Sequence, residues 1–350
     1  MRNMNITKRI GIHLVLMLLI VWAAACDNGK EQAGQVQSDS ASSTATTSDG
    51  SRQQTEGTDR KPGNEKVGSP EQKRSYTHNF GTIEVSATPK RIVGIYMDDF
   101  LLALGVKPLT QTMYGKRHLP YLQDRIGDLP VISPGGINLE LILEENPDLI
   151  LLAYPTYAQE GRYELFSKIA PTYVFTGEDN WRQTLLTVAD VIGKPEQAES
   201  WLNEYERKVA AARDSLKKAI GDETVMFIRF TRAERIQIYG GPSNFSADVL
   251  YQDLGLKPSE LVKKLAWGEE NSAPVISAEL ISQFDADHIF ITYDTPTNED
   301  AQEFKNHPLW RNIPAVKKGN LHEVEMFHWM NDGPIANSMK VDDVLKALLK

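Results

Sequence analysis

Short unbroken apolar runs alternate along this chain with stretches whose apolar residues recur every three or four positions. Continuous runs of four to eight residues fit strands buried on both faces of a parallel sheet. They predict strands over 91–96, 172–175, 224–231, 235–239 and 320–324. Helices are predicted over 98–104 and 245–254, stopped by Gly105 and Gly255, and over 339–349. A helical region from Trp181 to Ala219 is broken at Gly193-Lys194-Pro195. After the break, Ala198, Trp201, Leu202, Tyr205, Val209, Ala212 and Leu216 keep helical spacing, with Pro195 suited to the first position. Such a helix is about 37 Å long and can run along two lobes. It offers no soft loop for a large hinge motion.

One pattern occurs twice. Residues 138–152 and 277–291 align without a gap at a constant offset of 139. Each copy opens with a capping residue, Asn138 or Ser277. Each has a glutamate in the first turn, Glu140 or Glu279, and an aspartate, Asp148 or Asp287, leading an apolar strand. Strands alternating with helices, duplicated halfway along, predict two Rossmann-like α/β lobes with parallel sheets.

The N-terminus changes the picture of where this body works. Arg2, Lys8 and Arg9 precede the apolar run 10–21, and Ala23-Ala24-Ala25 precedes Cys26. This is the build of a secretory signal. Residues 10–25 are too short for a transmembrane anchor, which needs roughly 20. Cys26 is the sole cysteine, so no internal disulfide is available to it. Ala-Ala-Ala-Cys resembles a bacterial lipoprotein box, although leucine is more usual at the place of Ala23; the resemblance implies a lipidated Cys26. From Asp27 to Arg74 there are five aliphatic residues and no aromatic, too little apolar surface to offset ordering entropy. The expected organisation is a signal at 1–25, a lipid-anchored disordered linker at 26–74, an N-terminal lobe at 75–180, connecting helices at 181–221 and a C-terminal lobe at 222–350. Loss of the signal takes the formal charge from −9 to −12, which argues against nucleic acid as a partner.

Several segments together resemble the iron-siderophore and cobalamin class of ABC-importer substrate-binding proteins. They are Phe80 to Val85 followed by Thr88 to Val93; Asn138-Leu139-Glu140 with Asn146 to Ile150; Gly240-Gly241-Pro242 through Asp248 to Leu256; and Gly333 to Asn337 with Asp342 to Leu345. The resemblance runs from about residue 76 to 350. It implies two α/β lobes joined by a rigid helix, a ligand cleft between them, a monomer, and modest closure on a ferric siderophore. It also implies that Glu140 and Glu279 dock on a permease dimer powered by separate ATPase subunits. The bland alternative is that both glutamates only complement a helix N-terminus.

A ferric chelate needs cationic hydrogen-bond donors for its oxygens and aromatic walls for its apolar parts. Loops after the C-terminal ends of strands are the expected source. The first lobe offers Tyr96, the cluster Tyr114-Gly115-Lys116-Arg117-His118, and Tyr154. The second offers Arg229, Arg232 and Tyr239, with Trp267 and Trp329 expected as walls in loops. The arrangement looks most like members that take hydroxamate or citrate–hydroxamate chelates. Haem would want an axial ligand from Tyr114, His118 or His328, and cobalamin would need less positive charge. No cofactor or directly bound metal is expected, the iron being carried inside its chelate. A bare-metal site lacks a His-x-His or cysteine pattern, and a hydrolase lacks a Gly-x-Ser-x-Gly elbow. Asp98-Asp99 and Asp342-Asp343 are carboxylate pairs; the second is expected on a solvated helix face. The same fold used for sensing or adhesion stays open at this point.

Overall fold

In a computed structural model, residues 72–349 are described, apart from 232–234, 242–243, 269–272 and 296–298. The signal, Cys26, most of the linker and Arg232 lie outside the described residues. The described residues begin with an antiparallel hairpin, Lys73–His78 paired with Gly81–Ser86. It therefore begins two residues before the lobe boundary at 75. Arg74, on that first strand, donates to the carbonyls of Ala87 and Val191.

The first lobe carries parallel strands Ile92–Ile95, Leu149–Leu152 and Thr172–Val174, in that spatial order. All eight residues of the first two are buried, as their unbroken apolar sequence predicts. A two-residue parallel pair, Gln111–Thr112 with Val131–Ile132, stands beside them. In the second lobe the order is Val275–Ile276, Ile236–Tyr239, Thr224–Phe230, His288–Tyr293, Leu321–Glu323. Strands 224–230, 288–293 and 321–323 run parallel, while 236–239 and 275–276 add antiparallel edges.

The repeated aspartates do the same work in both lobes. Asp148 accepts the backbone N–H groups of Lys90 and Arg91, at 2.7 and 2.9 Å. Asp287 accepts the Thr224 N–H at 2.9 Å. Each carboxylate thus pins the start of its own strand to the start of the neighbouring strand. The helices that precede them differ. Leu139–Glu144 is α-helical and Asn138 caps it through the N–H groups of Glu140 and Leu141. Ala278–Gln283 winds as a 3-10 helix, and the Ser277 side chain makes no capping bond, contrary to the expectation for both copies. Its bonds span three residues, from Leu280 N–H to Ser277 and from Phe284 N–H to Ile281, so the turn is tighter.

The connecting region matches its pattern: helices Trp181–Val191 and Pro195–Ile220 meet at the predicted break. Tyr205 donates to Asp253 at 2.6 Å, and Arg182 pairs with Asp253 and Glu206, fastening both helices to the second lobe. The predicted helix at 245–254 is π-helical over Asp248–Asp253. Arg213 closes its C-terminal end, donating to the open carbonyls of Gln252 and Asp253.

The closing helix is Pro334–Leu348, five residues longer at its start than its apolar spacing predicts. Its N-terminus is held from the other lobe. Asp99 accepts the N–H groups of Ile335 and Ala336, at 2.7 and 3.1 Å, and the Tyr121 hydroxyl at 2.9 Å. A carboxylate there satisfies donors that a helix leaves open. Gly333 lies so close that a Cβ would overlap the Asp99 carboxyl carbon. One apolar core runs through Leu101, Leu185, Tyr205, Phe227 and Val341, so the halves share their interior instead of folding as separate beads.

Candidate functional site

A cavity of about 540 Å³ lies between the two halves, within the range of roughly 300–1,000 Å³ usual for small-molecule sites. Tyr114, Gly115 and Leu119 line it from the first lobe. Arg229, Gln237, Tyr239, Asn244 and Phe245 line it from the second, with Met326, Phe327 and Met330 along another side.

On the first wall Tyr114 faces the cavity, and Tyr96, Tyr154 and Tyr157 form a ring cluster beside it. Tyr96 follows strand 92–95 with a left-handed φ of 60°, held by its N–H bond to the Thr112 hydroxyl at 3.0 Å. Tyr114 opens a tight turn whose backbone bonds return to it from Arg117, with Gly115 at φ 64°. The rings of Tyr96 and Tyr114 meet edge to face at 4.6 Å. Tyr154, after strand 149–152, and Tyr157 stand 6.0 and 5.6 Å from Tyr96. Burial pushes the phenols of Tyr114, Tyr154 and Tyr157 upward. They stay neutral hydroxyls at any physiological pH.

The second wall is set by sheet register. Arg229 sits directly opposite Gln237, and Tyr239 follows two residues on, so all three share one face. Arg229 Nε donates to Asp294 Oδ1 at 2.6 Å, and the Tyr239 hydroxyl donates to Gln237 at 3.1 Å. Burial opposes the charge on Arg229, but Asp294 and Tyr239 outweigh it. Arg117 reaches across from the first lobe, donating through Nη2 to the Asp294 carbonyl at 2.6 Å. Its guanidinium also lies 5.5 Å from the centre of the Phe327 ring.

Tyr96, Tyr114 and Tyr154 thus come together, as do Arg229 and Tyr239, while Arg117 spans the gap. Lys116 is exposed at the tip of its turn, and His118 is half-buried; neither lines the cavity. Trp329 is not a wall. It lies on a short helix, Met326–Trp329, fully buried between Phe227 and Phe290, and donates Nε1 to Asp343 at 2.8 Å. Trp267 stays exposed but ends helix Glu260–Ala266, edge-on to Tyr251 and away from the lining residues. His328 is engaged on both nitrogens, by Glu325 at 3.0 Å and Asp343 at 2.6 Å, which leaves it no axial position for haem. The pair 342–343 is not simply a solvated face, since Asp343 holds both His328 and Trp329.

Sequence reasoning missed Tyr157, Phe245, Met326, Phe327, Met330 and Asp294. Asp294 had a usable signal, because it directly follows strand His288–Tyr293 at its C-terminal end. Phe327 lies two residues from the tryptophan chosen in its place. Among the described residues, no three His, Cys, Asp or Glu side chains form a metal-binding group, and no helix is long and apolar enough to cross a membrane. Glu140 and Glu279 are both exposed, in the first turns of their helices.

Two α/β lobes on a shared rigid helix, with a cavity between them, define a bilobal substrate-binding protein. Residues 97–325 match the family model described as periplasmic binding protein, and the chain belongs to that family. It is similar to the iron(3+)-hydroxamate-binding protein FhuD of Bacillus subtilis, with 26% identity over 99% of each chain. It is also 30% identical to YfiY, a probable siderophore-binding lipoprotein of the same species, over 79% of this chain and 88% of that one. Among solved structures, it resembles a Bacillus subtilis binding-protein component of a Fep/Fec-like ferrichrome ABC transporter. There the TM-score is 0.70 with 25% identity, covering 79% of this chain and 100% of that chain.

Proposed function

We propose that this protein captures a ferric siderophore of hydroxamate type outside the cell membrane and delivers it to an ABC permease. The observation that carries this reading is the pairing of two unlike walls around the cavity. On one side Tyr114, with the Tyr96 ring packed against it, gives an apolar face and a neutral hydroxyl donor. Arg229 and Tyr239 present donors to chelate oxygens on the other. The names of the relatives, which specify iron hydroxamates and siderophores, support the same ligand class. The subunit makes and breaks no bond; iron travels as part of the chelate, and separate ATPase subunits drive uptake. Cys26 carries the lipid, the linker acts as a leash, and a monomer meets its permease at raised local concentration. Exposed Glu140 and Glu279 dock on the two permease subunits.

Tryptophan-fluorescence titration with ferric hydroxamates, ferric citrate, haem and cobalamin tests the ligand. Saturable quenching by a ferric hydroxamate at micromolar concentration or below is expected; silence toward every ferric chelate refutes the reading. Charge reversal at both Glu140 and Glu279 should stop uptake by cells while ligand affinity stays intact. Normal uptake by that double variant rules out the docking role.

A further inference from the structure

Among the described residues that line the cavity, Arg229 is the one cationic side chain, and its charge is already answered. Asp294 takes its Nε at 2.6 Å, and each of the two side chains is only about a quarter exposed, at 27% and 25%. Asp294 is held in place by backbone contacts from both lobes. Its N–H donates to the Phe230 carbonyl at 3.1 Å, and its own carbonyl accepts Arg117 Nη2 at 2.6 Å. Its backbone is thus anchored through both polar groups, and that anchor sets its carboxylate against Arg229 beside the cavity.

We propose that Asp294 is a specificity-determining residue, a built-in counter-ion that favours ferric chelates without net charge and disfavours polyanionic ones. This rests on the ferric-chelate reading above and refines it. A chelate carboxylate approaching Arg229 has two routes. It can displace Asp294, leaving a half-buried carboxylate without its partner, or it can sit beside Asp294 as a like charge. Either route penalises an anionic ligand, the repulsive element that discrimination between similar ligands needs. A ferric trihydroxamate escapes both. Three hydroxamate anions neutralise the ion, and its oxygens need only hydrogen bonds. A guanidinium has five N–H donors, of which Asp294 takes the one on Nε. The neutral tyrosine wall opposite adds no charge that would restore a preference for anions.

The test compares ferrichrome, a neutral trihydroxamate, with ferric citrate, a polyanion, on the purified wild type and on Asp294→Asn and Asp294→Glu. Wild type should prefer ferrichrome. Asp294→Asn should narrow the ratio of the two affinities about tenfold or more by tightening ferric citrate, and Asp294→Glu should keep the wild-type ratio. An unchanged ratio in Asp294→Asn, or weaker ferric citrate, overturns the proposal while leaving the ferric-chelate reading intact. Wild type that binds neither chelate overturns both. A second measurement needs no variant. Repulsion is screened by salt, so wild-type affinity for ferric citrate should hold or rise from low to high ionic strength. A steep fall would mean net attraction and would refute the role of Asp294.

Discussion

One side of the cavity is Tyr114 with a cluster of first-lobe tyrosines packed beside it, and the other is a guanidinium paired with a carboxylate from the second lobe. Tyr114 follows the short parallel strand Gln111–Thr112, whereas Arg229 is the penultimate residue of the central strand Thr224–Phe230. The first wall carries no charge, since its phenols are neutral at physiological pH and burial only pushes them further up. The second keeps a full cation by giving it an internal partner. The contrast shows that duplicated scaffolds need not carry duplicated chemistry, because strand ends fix where side chains stand while loops decide what they are.

The largest expected effect comes from breaking the charged wall. Arg229→Ala removes the donor and leaves Asp294 half-buried without its ion pair. A charged hydrogen-bond donor to the ligand is worth roughly 1.5–3 kcal/mol, so ferric-chelate affinity should fall about tenfold or more in a fluorescence titration. A fall under threefold would make the first wall the principal one. That wall is sharpened by comparing Tyr114→Phe with Tyr114→Ala. If it works through ring faces, phenylalanine should cost under about 0.5 kcal/mol of binding and alanine about 1–2 kcal/mol. Equal losses in the two variants would instead assign the work to the hydroxyl.

A smaller effect separates the walls from the buried acids behind them. Burial raises Asp98 and Asp248 to about 7 and Asp99 to about 6. His328 is also raised: burial opposes its charge, but Asp343 and Glu325 outweigh that. A group with a raised folded-state pKa contributes stability that is complete below its unfolded value, 3.8 for Asp and 6.5 for His, and is lost as pH rises through the folded value. The melting temperature should therefore fall between pH 5 and pH 7.5, by a few degrees at roughly 2–4 °C per kcal/mol for a chain of this size. Lys340 is lowered to about 8 by burial, so its contribution is lost as pH falls through 8 and does not vary over that window. Melting curves of Asp98→Asn should show a flatter pH slope; a slope as steep as wild type places the effect elsewhere. The smallest effect on binding belongs to Trp329→Phe. It lies under the second wall, so Tm should drop while chelate affinity stays within about twofold, as expected for lost core volume and one lost hydrogen bond.

Much of this molecule could be read locally. Buried strands announce themselves as unbroken apolar runs, and the 195–220 helix shows its spacing and its Pro195 start. Asp148 and Asp287 stood out as a repeat because both lobes use one local device to align strand starts. Tyr114 and Arg229 could be placed at the cavity because chemistry near the end of a parallel strand has few other places to face, while Tyr96 and Tyr154 pack beside Tyr114 and are not among the lining residues. Trp267 and Trp329 were misread because an aromatic near a loop gives no sign of which way its ring turns.

The chain's own order of residues determined the two α/β units, the rigid crossover and the candidate strand ends, since those depend on contacts a few residues apart. Only the tertiary structure decided three other things: that Phe327 and not Trp329 meets the cavity, that Asp294 answers Arg229 from 65 residues away, and that Asp99 caps a helix 236 residues downstream. The physical reason is the same in each case. A hydrogen bond or ion pair between distant segments leaves no period in the sequence, because its geometry exists only once the sheets and helices have packed.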